Sequence, residues 1–323
     1  MTILLLSSNA AAKSKTLWLP IFNDGLTILV PFNSTPYISS PIKKTGQKIS
    51  YDDVGNVISN GSVKDDGYYQ KGITPSYSRN LGVVTDHIIG LQWSDTENVG
   101  FDSWDEAGNY CKELILNGKG WRLPTIIELN SIILPSVYHP AIDTTAFQNY
   151  NSGTYGDYWT SSVGTGNTDK MWRLHLYGGS MNPTYKYNGG YSRCIRSQNL
   201  RLLANFSRLS DVVIDNNTGL QWQDTKVVYK GKWLPAINYC EGLELNGKGW
   251  RLPNINELKS IIDYSRIGPS INSIFKNAIY NNFWSSTTAP WATDSTLVID
   301  FWLGELRSND KTFYDTNLAR CVR

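Results

Sequence analysis

The nine residues LNGKGWRLP occur twice in this chain, at 116–124 and at 245–253, and that repetition constrains the fold more than any other feature. The offset of 129 residues between them also carries GLQW at 90–93 onto GLQW at 219–222, and Ala107, Asn109, Tyr110 and Cys111 onto Ala236, Asn238, Tyr239 and Cys240. Further on, YWTSS around Trp159 matches FWSST around Trp284 at an offset of 125, and YSRCIR at 191–196 matches LARCVR at 318–323 at an offset of 127. The changing offsets put small insertions and deletions in surface loops between the blocks. Two tandem domains are expected, at about residues 68–198 and 203–323, and a chain of 323 residues suffices for a core in each.

Both copies carry the same local signals. VVTDHIIGLQW and VVIDNNTGLQW read as strand, turn and strand. A helix follows whose buried stripe includes Ala107, Cys111 and Leu114, or Ala236, Cys240 and Leu243. After WRLP, Thr125 with Glu128 and Asn254 with Glu257 have the spacing of a capping box opening a second helix, the cap contributing about 1 kcal/mol. Strands are expected at 159–162, 171–176 and 193–196, with counterparts at 283–286, 297–302 and 320–323. The fold class is α+β. Residues 14–67 form a leader whose turn formers (Asn23-Asp24-Gly25, Asn60-Gly61) separate β-branched runs, predicting β-hairpins packed on the first domain. Residues 1–13, apolar and then small, read as the remnant of a signal peptide.

The four cysteines fall two to a repeat, and four cysteines allow three pairings. Equivalent domains should close equivalent bonds, which selects Cys111 with Cys194 and Cys240 with Cys321; the alternative is two pairs of buried free thiols. Each bridge would close a loop of roughly eighty residues and stabilise by roughly 4 to 5 kcal/mol in the chain-entropy model. Disulfides would also point to an oxidising compartment, so the protein is expected to be secreted, periplasmic or at the cell surface.

With 30 basic against 28 acidic residues, the net charge of +2 gives no global pull toward nucleic acid or anionic lipid. No apolar run reaches transmembrane length. The three histidines, His87, His139 and His175, all lie in the first repeat, and no metalloprotease, Cys-x-x-Cys, serine-elbow or phosphate-loop motif is present. An enzyme is therefore not expected, nor a cofactor.

TGLQW, a helix with Cys, NGKGWRLP, a helix with Glu-Leu, WSS and RCVR together resemble the C-terminal domain family of the bacterial collagen-like adhesin Lcl. KTGQ, YDDVGNV and DGYYQKG in the leader resemble segments that precede such domains. The resemblance covers nearly the whole of both repeats. It implies a C-type-lectin-like fold, similar also to the formylglycine-generating enzyme, with two helices flanking a twisted, mainly antiparallel sheet and adjacent terminal strands. It implies secreted or surface-exposed proteins, of which the founding adhesin binds sulfated polysaccharides. Formylglycine-type chemistry would need free cysteines, and the expected bridges use all four. The Glu-Pro-Asn, Gln-Pro-Asp and Trp-Asn-Asp signatures of calcium-dependent sugar binding are absent, and no metal is expected. His87-Ile88-Ile89 stands where Asn-x-Thr is usual, predicting an altered opening turn in the first copy.

The polar residues common to both copies are Arg122 and Arg251, Glu128 and Glu257, Ser161 and Ser286, and Arg193 and Arg320. They could form a duplicated active site; the structural reading, in which the Glu caps a helix and the Arg satisfies buried carbonyls, is preferred. Recognition then falls to aromatic residues interleaved with Asn, Gly and Ser, a composition suited to contact area at small entropic cost. The expected ligand-binding residues are Tyr155, Trp172, Tyr177, Tyr185 and Tyr187 in the first repeat and Trp291, Trp302 and Tyr314 in the second. The expected role is that of an adhesin-like binding protein whose partner is a polysaccharide or a surface protein, with self-association into a homo-oligomer a further expectation. The alternatives are a structural or assembly component of the cell surface and, third, an enzyme.

Overall fold

The computed structural model of the protein describes residues 18–23, 26–31, 41–97, 99–151, 156–196, 205–226 and 228–323, and for 18–31 the backbone pairing alone. The expected signal remnant at 1–13 lies outside the described residues. In the leader, β1 (Trp18–Asn23) pairs antiparallel with β2 (Leu26–Pro31), and β3 (Ser50–Tyr51) with β4 (Val57–Ile58). A single helical turn, α1 (Asp66–Tyr69), starts where the Asp65 carboxylate accepts from the Tyr68 N–H at 3.1 Å.

The first repeat opens with the antiparallel meander β5 (Tyr77–Asn80), β6 (Val83–Asp86) and β7 (Gln92–Ser94). After β8 (Gly100–Phe101) come α2 (Trp104–Glu113) and α3 (Ile126–Asn130), then β9 (Asp157–Val163), β10 (Lys170–His175), β11 (Ser180–Tyr185) and β12 (Gly190–Tyr191). The last strand, β13 (Ile195–Arg196), returns to pair with β7. A second sheet has the order β11-β10-β9-β12-β8, antiparallel except for β12 against β9.

The second repeat rebuilds this plan. The meander is β14 (Phe206–Leu209), β15 (Val212–Asp215) and β16 (Gln221–Gln223). The helices α4 (Trp233–Glu241) and α5 (Ile255–Lys259) follow β17 (Tyr229–Lys230). β18 (Asn282–Ala289), β19 (Ala292–Asp300), β20 (Glu305–Asp310) and β21 (Leu318–Ala319) complete a sheet of order β17-β21-β18-β19-β20. Val322 bridges to Trp222 and Arg251 where Ile195 meets Trp93 and Arg122 in the first copy. The architecture is thus α+β in two tandem domains, mostly sheet with few helices.

Why both copies take this form can be read from what they bury. Trp93, Trp121 and Trp159 lie in the core, as do their equivalents Trp222, Trp250 and Trp284. Both predicted capping boxes form, Thr125 with Glu128 and Asn254 with Glu257. Cys111 is bonded to Cys194 and Cys240 to Cys321, each tying the first helix to the end of its repeat, with no free cysteine among the described residues.

The repeats pack on each other through equivalent surfaces. Lys259 of α5 bonds Asn130, its counterpart on α3, at 3.0 Å, and β11 packs on its counterpart β20. The turn after β18 sets Trp291 against Tyr138, with ring centroids 6.1 Å apart, while the turn after β9 sets Gly166 against Ile267, the counterpart of Tyr138. Such reciprocity is the mark of a two-fold-related pair. The seam is apolar: Tyr264 meets Trp172 edge-on at 5.3 Å, and its hydroxyl reaches the Met181 sulfur.

The described residues 41–76 before β5, which hold the end of the leader expected on the first domain and the stretch joining it to the first meander, pack chiefly on the second repeat and straddle the seam. Tyr69 donates to Glu241 at 2.7 Å, the Gln47 side chain accepts from the Thr288 N–H at 2.8 Å, and Lys311 donates to the Asp52 carbonyl at 2.9 Å. On the first repeat they keep a smaller hold through Lys43, which pairs with Asp86, and through the Thr45 carbonyl, which accepts from the Ser136 N–H.

Candidate functional site

The polar residues repeated in both copies are spent on structure. Arg122 and Arg251 each grip the following Glu with both terminal nitrogens, at 2.7–2.9 Å in one copy and 2.6–2.7 Å in the other. Those same Glu residues close the capping boxes. Arg193 donates to the Ser94 carbonyl and to Asp95, and Arg320 to the Gln223 carbonyl and to Asp224. Asp95 and Asp224 in turn accept from the N–H groups of residues 148–149 and 276–277. Arg193 and its neighbours hold the Asp95 carboxyl below its ordinary range, although burial alone would raise it. The Ser161 hydroxyl bonds the Pro124 carbonyl. These groups brace the fold, although Arg122 and Ser161 are exposed and the buried Nε of Arg193 and of Arg320 has no hydrogen-bond partner among the described residues.

The aromatic residues expected at a ligand face separate into three classes. Trp172 is a correction: it is fully buried, because the outer face of β10 is covered by Tyr264 from the second repeat, so it belongs to the seam. Tyr155 lies outside the described residues. The others are exposed, but at two places. Tyr177 and Trp302, 43% and 47% exposed, occupy the same corner of each repeat, at the turn into β11 or β20. Tyr185 ends that strand in the first repeat, and Tyr187 and Tyr314 lie beyond its end in their repeats, about 17 Å away at strand rise.

The corner is built the same way twice. The Tyr177 carbonyl accepts from the His139 N–H at 2.7 Å and the Leu176 carbonyl from that of Ala141; the Trp302 carbonyl accepts from the Gly268 N–H at 2.9 Å and the Phe301 carbonyl from that of Ser270. In the first repeat the Tyr177 ring lies 4.9 Å from that of His139 and 6.0 Å from that of Tyr138, which meets Trp291 across the seam. The indole of Trp291 rests on the Gly178 backbone. In the second, Trp302 lies flat on Gly268, where a β-carbon would come within 2.6 Å of the ring, and Tyr280 stands edge-on at 5.1 Å. Tyr138, His139 and Tyr280 thus join the expected residues. Nothing in the sequence near Tyr177 or Trp302 points to them; the two backbone bonds bring Tyr138 and His139 there, and the bond from the Phe301 N–H to the Asn281 carbonyl at 3.0 Å brings Tyr280.

At the far end, Tyr185 and Tyr187 stack at 5.2 Å with planes 11° apart, and the Lys170 ammonium lies 4.6 Å over the Tyr185 ring. Phe313 and Tyr314 form the corresponding pair, edge to face at 5.3 Å. Exposed rings backed by fixed loops offer flat apolar faces with little left to order on binding. Among the described residues, no group of three or more His, Cys, Asp or Glu is placed to hold a metal ion, and no helix is long and apolar enough to cross a membrane.

No curated protein matches the chain. The model of the Lcl C-terminal domain family matches twice, at residues 82–196 and 211–323, and membership in it suggests a surface-associated protein. These two matches span well over half of the sequence and coincide with the two structural repeats, so the chain belongs to the Lcl C-terminal domain family, as a tandem pair.

Proposed function

We propose that this protein is an extracytoplasmic, adhesin-like binding protein, not an enzyme, that recognises a polysaccharide or a surface protein through exposed aromatic residues of two C-type-lectin-like domains. One observation carries the reading: Tyr177 and Trp302 are presented at equivalent corners by the same backbone bonds, while the polar residues common to both repeats are consumed as braces. The two disulfides fit an oxidising compartment, and the return of each final segment to its opening meander fits a lectin-like plan. Two corners in one chain would allow one extended ligand to be held twice, with a gain in avidity and no new kind of contact.

A polysaccharide array and pull-down test this with the full chain, the Tyr177→Ala/Trp302→Ala double variant, and Tyr185→Ala/Tyr187→Ala. Loss of at least tenfold in apparent affinity in the first variant is expected, with a smaller loss in the second. Unchanged binding in the corner variant would sink the assignment.

A further inference from the structure

Where the leader crosses the seam it leaves a cleft of about 200 Å³, walled by the leader around Lys43, by α3 and by α5. Most of its surface is apolar, from Ile89, Ile127, Ile133, Ile262 and Phe206. Lys259 also lines it. That side chain is 7% exposed, and its ammonium has one hydrogen bond, to the Asn130 amide oxygen at 3.0 Å.

Other buried cations of the described residues have an anion or a set of carbonyls. Lys43 has Asp86, Arg193 has Asp95, Arg251 has Glu257, Arg320 has Asp224, and Lys311 has two carbonyl oxygens. Among the described residues, Lys259 has no carboxylate within ion-pair distance. An ammonium can donate three bonds, and an uncompensated buried charge costs several kcal/mol, roughly what a single buried ion loses in hydration. Burial alone brings this amine down to about 7.

We infer that the inter-repeat cleft is a binding site for a small monocarboxylate with an apolar body, its carboxylate on the Lys259 ammonium and its body against the isoleucines and Phe206. The other charged groups at the cleft are already answered. Lys43 is neutralised by Asp86, Glu257 on the same helix by Arg251, and Asp215 is held within its own turn by Thr218 and the Asn217 N–H. The Tyr264 hydroxyl points to Met181. The volume equals on the order of seven waters, which suits an acid the size of benzoate or hexanoate. The site exists only because two repeats and the leader meet, so it is distinct from the aromatic corners.

The test is calorimetric titration of the full chain with benzoate and hexanoate, and with benzamide as the uncharged control. Saturable carboxylate binding is expected at pH 6.5, with benzamide at least tenfold weaker. Above pH 7 the ligand must bring a proton to Lys259, so affinity should fall toward tenfold per pH unit. Lys259→Met, an apolar side chain of similar length, should fold with an unchanged circular dichroism spectrum and lose at least tenfold in affinity; Tyr177→Ala/Trp302→Ala should bind benzoate as the parent does. Absence of saturable binding at millimolar benzoate, or equal binding by Lys259→Met, overturns the inference. Loss of benzoate binding in the corner variant overturns the separateness of the two sites.

Discussion

The opening turns of the two repeats solve one problem with different partners. Each buries a carboxylate, Asp86 or Asp215, whose oxygen accepts from the N–H two residues on, at 3.0 and 2.9 Å. In each a glycine with positive φ, Gly90 or Gly219, donates back to the aspartate carbonyl. The second oxygen of Asp215 takes the Thr218 hydroxyl at 2.7 Å, from inside the turn. At the first copy His87-Ile88-Ile89 supplies no hydroxyl, and Asp86 takes Lys43 from the leader instead. The turn keeps its hydrogen-bond pattern and only the counter-group changes, so the expected alteration lies in the partner.

A second difference runs the other way. The Arg122 side chain is 44% exposed on its glutamate, while that of Arg251 is 7% exposed, because the leader, Tyr69 included, lies over the second copy. The duplicated domains have therefore ceased to be interchangeable. One depends on the leader for a charge and the other for cover.

Equivalence of the staples is the part of the comparison with the largest energy behind it. Replacing Cys111 and Cys194 by Ala, or Cys240 and Cys321, should cost about 4 to 5 kcal/mol in either case, since the loops of 83 and 81 residues are almost equal. Denaturant unfolding of both variants under oxidising conditions measures this. A gap above about 2 kcal/mol would show that the repeats do not share an unfolded-state constraint.

The swapped turn partners come next. Lys43→Met leaves the Asp86 carboxylate buried with no cation and should cost about 3 kcal/mol, whereas Thr218→Val removes one hydroxyl bond and should cost about 1 kcal/mol. Equal losses in urea midpoints would break the account of the leader as the first repeat's counter-ion.

What the sequence disclosed was what is local or repeated. The nine-residue block, the capping pairs and the cysteine pairing depend on neighbours along the chain or on identity between copies. Trp172 was misplaced although the buried Leu174 and, just past the strand end, Leu176 share its face, and the ring that meets it there, Tyr264, comes from the other repeat. The contacts of residues 41–76 with the second repeat could not be read for a related reason: Tyr69 and Gln47 find Glu241 and Thr288 across more than a hundred and seventy positions, at separations of 172 and 241, and no periodicity records such a contact. Tyr138 escaped notice because a residue in the loop before Pro140 reaches Tyr177 only through backbone pairing.

The smallest effect concerns a group that one repeat has and the other lacks. Ser162 and Thr287 are equivalents, each accepting from the first N–H of a helix, at 3.0 Å from Ile126 and 2.9 Å from Ile255. Only Thr287 passes its own proton on, to Asp66 of the leader at 2.8 Å. Desolvation first, and then the charges of Glu257 and Asp65, lift the Asp66 carboxyl to about 7, against the bonds from Thr45 and Thr287 that favour its anion. The unfolded chain releases this proton near the ordinary carboxylate value while the folded chain keeps it. Stability contributed by the group is therefore present at low pH and lost as pH rises through that interval, by about 1.4 kcal/mol per pH unit at most. Asp65, raised by burial, acts in the same direction. Lys259 and Lys311, lowered to about 7 and about 8, act above this range and with the opposite sign. Between pH 5 and 6.5, then, the parent should lose about 2 kcal/mol more than Asp66→Asn in urea unfolding, and parallel pH profiles would remove Asp66 as the titrating contact between leader and second repeat.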